Sequence, residues 1–79
     1  MNEEKYIVEY GCETSDGGSG YGIGRIVCDN RNDTIAVFEL IREQPHRFDF
    51  PPDDAQKYVR YEIRDDDGLP VQGGTSYLT

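Results

Sequence analysis

The sequence predicts an all-β domain, a small antiparallel sheet or compact sandwich of four to five strands, and three observations carry that expectation. Residues 5–12, KYIVEYGC, alternate Tyr6, Val8, Tyr10 and Cys12 against Ile7, Glu9 and Gly11, the period of two that marks a strand with one buried face. Residues 21–43, YGIGRIVCDNRNDTIAVFELIRE, hold 11 of the 28 hydrophobic residues and are rich in β-branched types, which suit a pleated, packed surface. Residues 57–65, KYVRYEIRD, set Val59, Tyr61 and Ile63 against Tyr58, Arg60, Glu62 and Arg64, a second half-buried alternation. The alternative is an α+β domain with one helix, at 34–43 or at 54–66.

The first strand is followed by ETSDGGSG at 13–20, all turn formers, and then by glycines at every second position from 18 to 24. Neither G-x-G-x-x-G nor G-x-x-x-x-G-K-[ST] fits this run, so a phosphate-cradling loop is not expected. The bare positions Gly20, Gly22 and Gly24 instead leave room for an aromatic ring or another backbone, or let the strand bend.

The apolar segment 21–43 reads as a hairpin turning at Asn30-Arg31-Asn32-Asp33, residues that tolerate turn dihedrals and hydrogen-bond their own backbone. Its pairing puts Ile23, Val27, Ala36, Phe38 and Leu40 on one face and Ile26, Cys28, Ile35, Val37 and Ile41 on the other. A hairpin apolar on both sides needs cover on both, which predicts a homodimer or a partner-covered surface. On the helical alternative, Asp33 is the N-cap, Glu39, Arg42 and Glu43 share a polar face, and Pro45 stops the chain.

Residues 44–54, QPHRFDFPPDD, are extended by Pro45, Pro51 and Pro52, each of which lacks a donor and biases its predecessor away from helix. Phe48 and Phe50, two apart, point the same way and either close the core or project as an aromatic anchor. The segment that follows has a helical reading too, with Asp53 as N-cap, Gln56 as its box partner and an apolar stripe of Ala55, Tyr58, Val59 and Ile63; its Tyr, Val and Ile favour the strand. Asp65-Asp66-Asp67-Gly68 is a turn, and 69–79 is a short terminal strand or tail. A calcium loop would need oxygen ligands spread over about a dozen residues, and no acid follows Asp67.

Seventy-nine residues make one domain, 1–79, that buries only about 60% of its unfolded surface. Two cysteines are too few for a disulfide framework, their register is poor for pairing, and Met1 is followed by polar Asn2, Glu3 and Glu4, so a cytoplasmic location with reduced thiols is expected. No apolar run reaches the ~18 residues of a membrane span, and none is expected to contact membrane.

Charge narrows the function further. The net charge of −8 is uneven: residues 1–24 sum to −4, 25–64 to −1 and 65–79 to −3. Direct nucleic-acid binding, which rests on Lys and Arg neutralising phosphates, is disfavoured, and an acidic chain steers towards a basic protein surface. One His, His46, in a Pro-flanked loop, offers no nucleophile–base pair, and two cysteines with one His do not complete a zinc site. The chain is therefore expected to be a non-catalytic, acidic protein-binding protein, such as an inhibitor of a nucleic-acid-binding protein, with no metal and no cofactor. Its expected contact residues are Glu3, Glu4, Glu13 and Asp16, Phe48 and Phe50, and Asp65, Asp66 and Asp67. The rival expectation is a small ligand-binding β module in which Tyr6, Tyr10, Tyr21, Tyr58, Tyr61 and the two Phe residues form a platform for a sugar or peptide.

Overall fold

Strands that are apolar on one side need a cover on that side, and in this chain the cover is a helix. The computed structural model describes residues 5–13, 21–48, 50 and 56–78. Strands β1 (Tyr6–Glu13) and β2 (Tyr21–Cys28) are followed by helix α1 (Arg31–Glu43), a 3-10 turn (Pro45–Arg47), and strands β3 (Gln56–Arg64) and β4 (Pro70–Leu78). The four strands form one antiparallel sheet in the order β2-β1-β3-β4. The two hairpins therefore meet along a central β1–β3 seam, which pairs Tyr6 with Ile63 and Glu13 with Gln56.

The hairpin expected across 21–43 is not formed; its second arm is helical and its turn is the helix cap. Asn30, in extended conformation, accepts the Asp33 backbone N–H on Oδ1 at 2.8 Å, and its amide donates to Asp33 Oδ2 at 3.2 Å. The cap is thus Asn30, with Asp33 at the third helical position, where its negative charge also faces the positive end of the helix dipole. The run that seemed apolar on both faces at period two has a single stripe at helical spacing: Thr34, Val37, Phe38 and Ile41. Thr34 is fully buried with its hydroxyl donating to the Asn30 carbonyl at 2.7 Å. Because Val37, Phe38 and Ile41 turn to the sheet while Ala36 and Leu40 stay exposed, the two-faced hairpin that predicted a dimer does not exist.

Helix α1 lies across β3 and β1 and partly over β2. Val8, Ile41, Val59 and Leu78 form the buried core, with Tyr10, Ile26, Cys28, Val37, Phe38 and Tyr61 packed around it. Each fully buried Val or Ile here contributes about 1.5–3 kcal/mol. Phe38 meets Tyr61 edge to face at 4.9 Å, and Tyr61 in turn accepts a hydrogen bond from Gln72 on β4 at 3.2 Å.

At the far end of the sheet the glycine reading of β2 is met at Gly24. The Tyr10 ring covers it so closely that a Cβ there would stand 2.4 Å from Tyr10 Cζ. Phe48 and Phe50 hold that ring from the other sides, at 5.3 and 5.4 Å. A register shift between Tyr10 and Gly11 sets Gly22 opposite Gly11, so Gly22 and Gly24 do not share a face. The turn 65–68 is as expected: Gly68 takes φ 82°, and Asp65 Oδ1 accepts the backbone N–H groups of Asp67 and Leu69, each at 2.9 Å. Among the described residues no helix is long and apolar enough to cross a membrane.

Candidate functional site

With the helix on one side, the other side of the sheet displays Ile7, Glu9 and Glu13 from β1, Arg25 and Val27 from β2, Tyr58, Arg60, Glu62 and Arg64 from β3, and Thr75 and Tyr77 from β4. Strand register sets Arg25, Glu9, Arg60 and Thr75 in one row across all four strands. Alternation of sign along that row makes an ion-pair ladder: Glu9 accepts from Arg60 at 3.1 Å and faces Arg25 at 3.7 Å. Arg60 also reaches Glu62 at 3.5 Å, and Glu62 pairs with Arg64. These side chains are between 22% and 44% exposed, so the ladder orders the face more than it stabilises the fold. Ile7, in register with Val27 and Glu62, is buried although it lies on this helix-free side.

The neighbouring row is half bare and half aromatic: Gly22, Gly11, Tyr58, Tyr77. The missing side chains and the two rings create two shallow depressions that share Tyr58 and Arg60. One, of about 470 Å³, is lined by Glu9, Gly22, Ile23, Gly24, Arg25, Tyr58 and Arg60. The other, of about 340 Å³, is lined by Glu13, Tyr58, Arg60, Thr75 and Tyr77. A hydrogen bond to the Glu13 carboxylate, with repulsion from its charge, pushes the Tyr77 hydroxyl above its ordinary pKa.

The expected contact residues are scattered by the fold. Glu3, Glu4 and Asp16 lie outside the described residues. Glu13 ends β1 and borders the second depression. Phe48 and Phe50 are half-buried against Tyr10 and so take the core-closing role. Asp65 closes its own turn, Asp66 pairs with Lys5, and Asp67 is exposed. Lys5 beside it holds the Asp66 carboxyl below its ordinary pKa, by hydrogen bond and by charge. The rings of the imagined platform are divided, since Tyr10 and Tyr61 pack towards the helix and Tyr58 stands on the opposite face.

Topology also gathers acids that are distant in sequence. The pairing of Tyr6 with both Cys28 and Ile63 brings the end of β2, the start of α1 and the β3–β4 turn to one end of the sheet. Asp29, Asp33, Asp65, Asp66 and Asp67 collect there with Lys5, Arg31 and Arg64, of which Lys5 and Arg64 are paired with Asp66 and Glu62. Among the described residues no cluster of His, Cys, Asp and Glu is placed to hold a metal ion, and both cysteines are free thiols, Cys12 buried and Cys28 half-buried. Sequence reasoning missed Glu9, Arg25, Arg60, Glu62, Tyr58 and Tyr77 as one surface, because only the β1–β2, β1–β3 and β3–β4 registers bring them together. No protein-family model, no curated protein and no solved structure matches this chain.

Proposed function

We propose that this chain is a non-catalytic binding protein that occupies a basic surface of another protein in the cytoplasm, acting as an inhibitor where that surface serves nucleic acid. The observation that carries the reading is the collection of Asp29, Asp33, Asp65, Asp66 and Asp67 at one sheet end in a chain of net charge −8. Among the described residues Lys5, Arg25, Arg60 and Arg64 pair with acids of the same chain, and the chain keeps a net charge of −8, so the field felt by an approaching molecule is acidic. Such a field speeds encounter with a basic partner and repels nucleic acid itself. The two free thiols fit a reducing compartment.

The test is capture from an extract of the source cells on immobilised protein, with salt as the variable and an Asp66→Asn, Asp67→Asn double variant alongside. Asp65 is left intact because its carboxylate closes the turn. The retained protein should be basic, should elute as salt rises and should be held several-fold less by the variant. Retention that persists at about 1 M salt, where the Debye length is about 3 Å, overturns the reading.

A further inference from the structure

We propose that the depression lined by Glu13, Tyr58, Arg60, Thr75 and Tyr77 takes an arginine side chain of the partner. This rests on the basic-partner reading and deepens it: the acidic end of the sheet steers the partner, and this subsite, towards the opposite end of the uncovered face, anchors it.

The chemistry of the lining selects a cation. Tyr58 and Tyr77 stand directly opposite one another on β3 and β4, and Tyr77 is 58% exposed. Aromatic ring faces of this kind attract cations. Glu13, at the last position of β1, supplies the carboxylate beside the rings. Arg60 forms one wall, but its guanidinium lies 3.1 Å from Glu9 and 3.5 Å from Glu62 and is neutralised by them. Glu9, Glu13 and Glu62 balance Arg25, Arg60 and Arg64 across this face, and the ladder engages all of them but Glu13, so a positive group entering beside the rings meets the Glu13 carboxylate. The hydrogen bond from Tyr77 to the Glu13 carboxylate, and then the charge of that carboxylate, raise the Tyr77 pKa, which places the carboxylate beside this ring.

Shape then selects guanidinium over ammonium. The depression is shallow and open, with two rings on one sheet face, and cannot enclose a rounded ammonium as an aromatic cage does. A flat guanidinium can lie against an exposed ring and donate two hydrogen bonds to Glu13 in one plane. The cross-strand neighbour of Tyr58 on β1 is Gly11, which has no side chain to compete for that ring face.

The test uses three small probes in NMR titrations of the intact protein: N-acetyl-arginine amide, N-acetyl-lysine amide and the uncharged isostere N-acetyl-citrulline amide. The arginine probe should shift the resonances of Glu13, Tyr58, Thr75 and Tyr77 together, several-fold more tightly than the lysine probe, while citrulline leaves them unmoved. Glu13→Gln, which keeps an acceptor but removes the charge, should weaken the arginine probe about tenfold. Equal shifts from lysine and arginine, or arginine shifts confined to the Asp65–Asp67 turn, overturn the subsite. The capture experiment reads the parent proposal separately: salt-sensitive, variant-sensitive capture together with a silent depression refutes this subsite alone, whereas salt-resistant capture refutes both.

Discussion

Replacing Gly24 by alanine should unfold a disproportionate share of this protein, because one methyl group there has nowhere to go. The added Cβ would lie 2.4 Å from Tyr10 Cζ and Oη and 2.7 Å from Cε1. A ring tip can often swing aside cheaply, but this ring is held by Phe48 at 5.3 Å and Phe50 at 5.4 Å. Relief by ring movement gives up both aromatic contacts, each worth about 0.5–1.5 kcal/mol beyond its buried area. Relief by strand movement instead is overpacking, at about 1–3 kcal/mol. Either route gives about 1–3 kcal/mol against a total stability of about 4–12 kcal/mol for a chain of this size. At about 4–8 °C per kcal/mol, Tm should fall by about 4–24 °C. Gly22→Ala is the internal control, since nothing lies within 4 Å of its Cβ; it should be neutral or stabilise by about 0.4–1 kcal/mol through the unfolded chain. Urea unfolding followed by circular dichroism measures both, and Tyr10→Leu combined with Gly24→Ala should recover part of the loss by non-additivity. A Gly24→Ala protein within 0.5 kcal/mol of wild type would falsify the packing argument.

Three further outcomes follow from the described geometry. Asn30→Ala removes the acceptor of the Asp33 N–H and should cost about 0.5–2 kcal/mol, read in the same unfolding assay; no change there would mean the cap is dispensable. Alkylation followed by mass spectrometry should modify both thiols under denaturing conditions, and under native conditions Cys28 faster than the fully buried Cys12. The lowered pKa of Asp66 means the folded state binds its proton less readily than the unfolded one, so the Lys5 pairing is present above the ordinary carboxylate value of 3.8 and is lost as pH falls through the lower folded value. Lys5→Gln should therefore flatten stability against pH only in that acid window, and an effect at neutral pH alone would contradict the assignment.

Most of the sheet was legible, and the helix was legible only as the alternative reading of 34–43, for reasons that can be named. Strands β1 and β3 announce themselves because Val8 and Cys12, or Val59 and Ile63, recur at even spacing and are buried in the structure. Segment 31–43 satisfies two grammars at once. Thr34, Ile35, Val37 and Ile41 have the branched side chains that strands favour, yet Thr34, Val37, Phe38 and Ile41 also fall on one side of a 3.6-residue period. The Asn30 and Asp33 pair is equally ambiguous, since a side-chain oxygen that accepts a nearby backbone N–H closes a turn or caps a helix with the same bond. Tertiary need decided it: the apolar side of four strands required a cover, and this was the one apolar segment left to supply it. The surface on the opposite side was illegible in a different way. Arg25, Glu9 and Arg60 are separated by 16 to 51 positions, and only strand register makes them neighbours.

The central β1–β3 seam sets the order in which this chain can assemble. Each hairpin closes locally, whereas the seam joins Tyr6 to Ile63 across most of the chain and so carries the larger loop-closure cost. Neither hairpin has its apolar side covered until α1 lies over both β1 and β3, so helix docking and seam formation are coupled into one late, cooperative step. Two peptides divided between Phe50 and β3 should each be largely unstructured alone and should regain the sheet when mixed, because the seam and the helix contacts remain available to both. Such a division turns the protein into its own binding pair, with the seam as the interface and Ile41 and Val59 as the residues whose substitution would prevent the halves from finding one another.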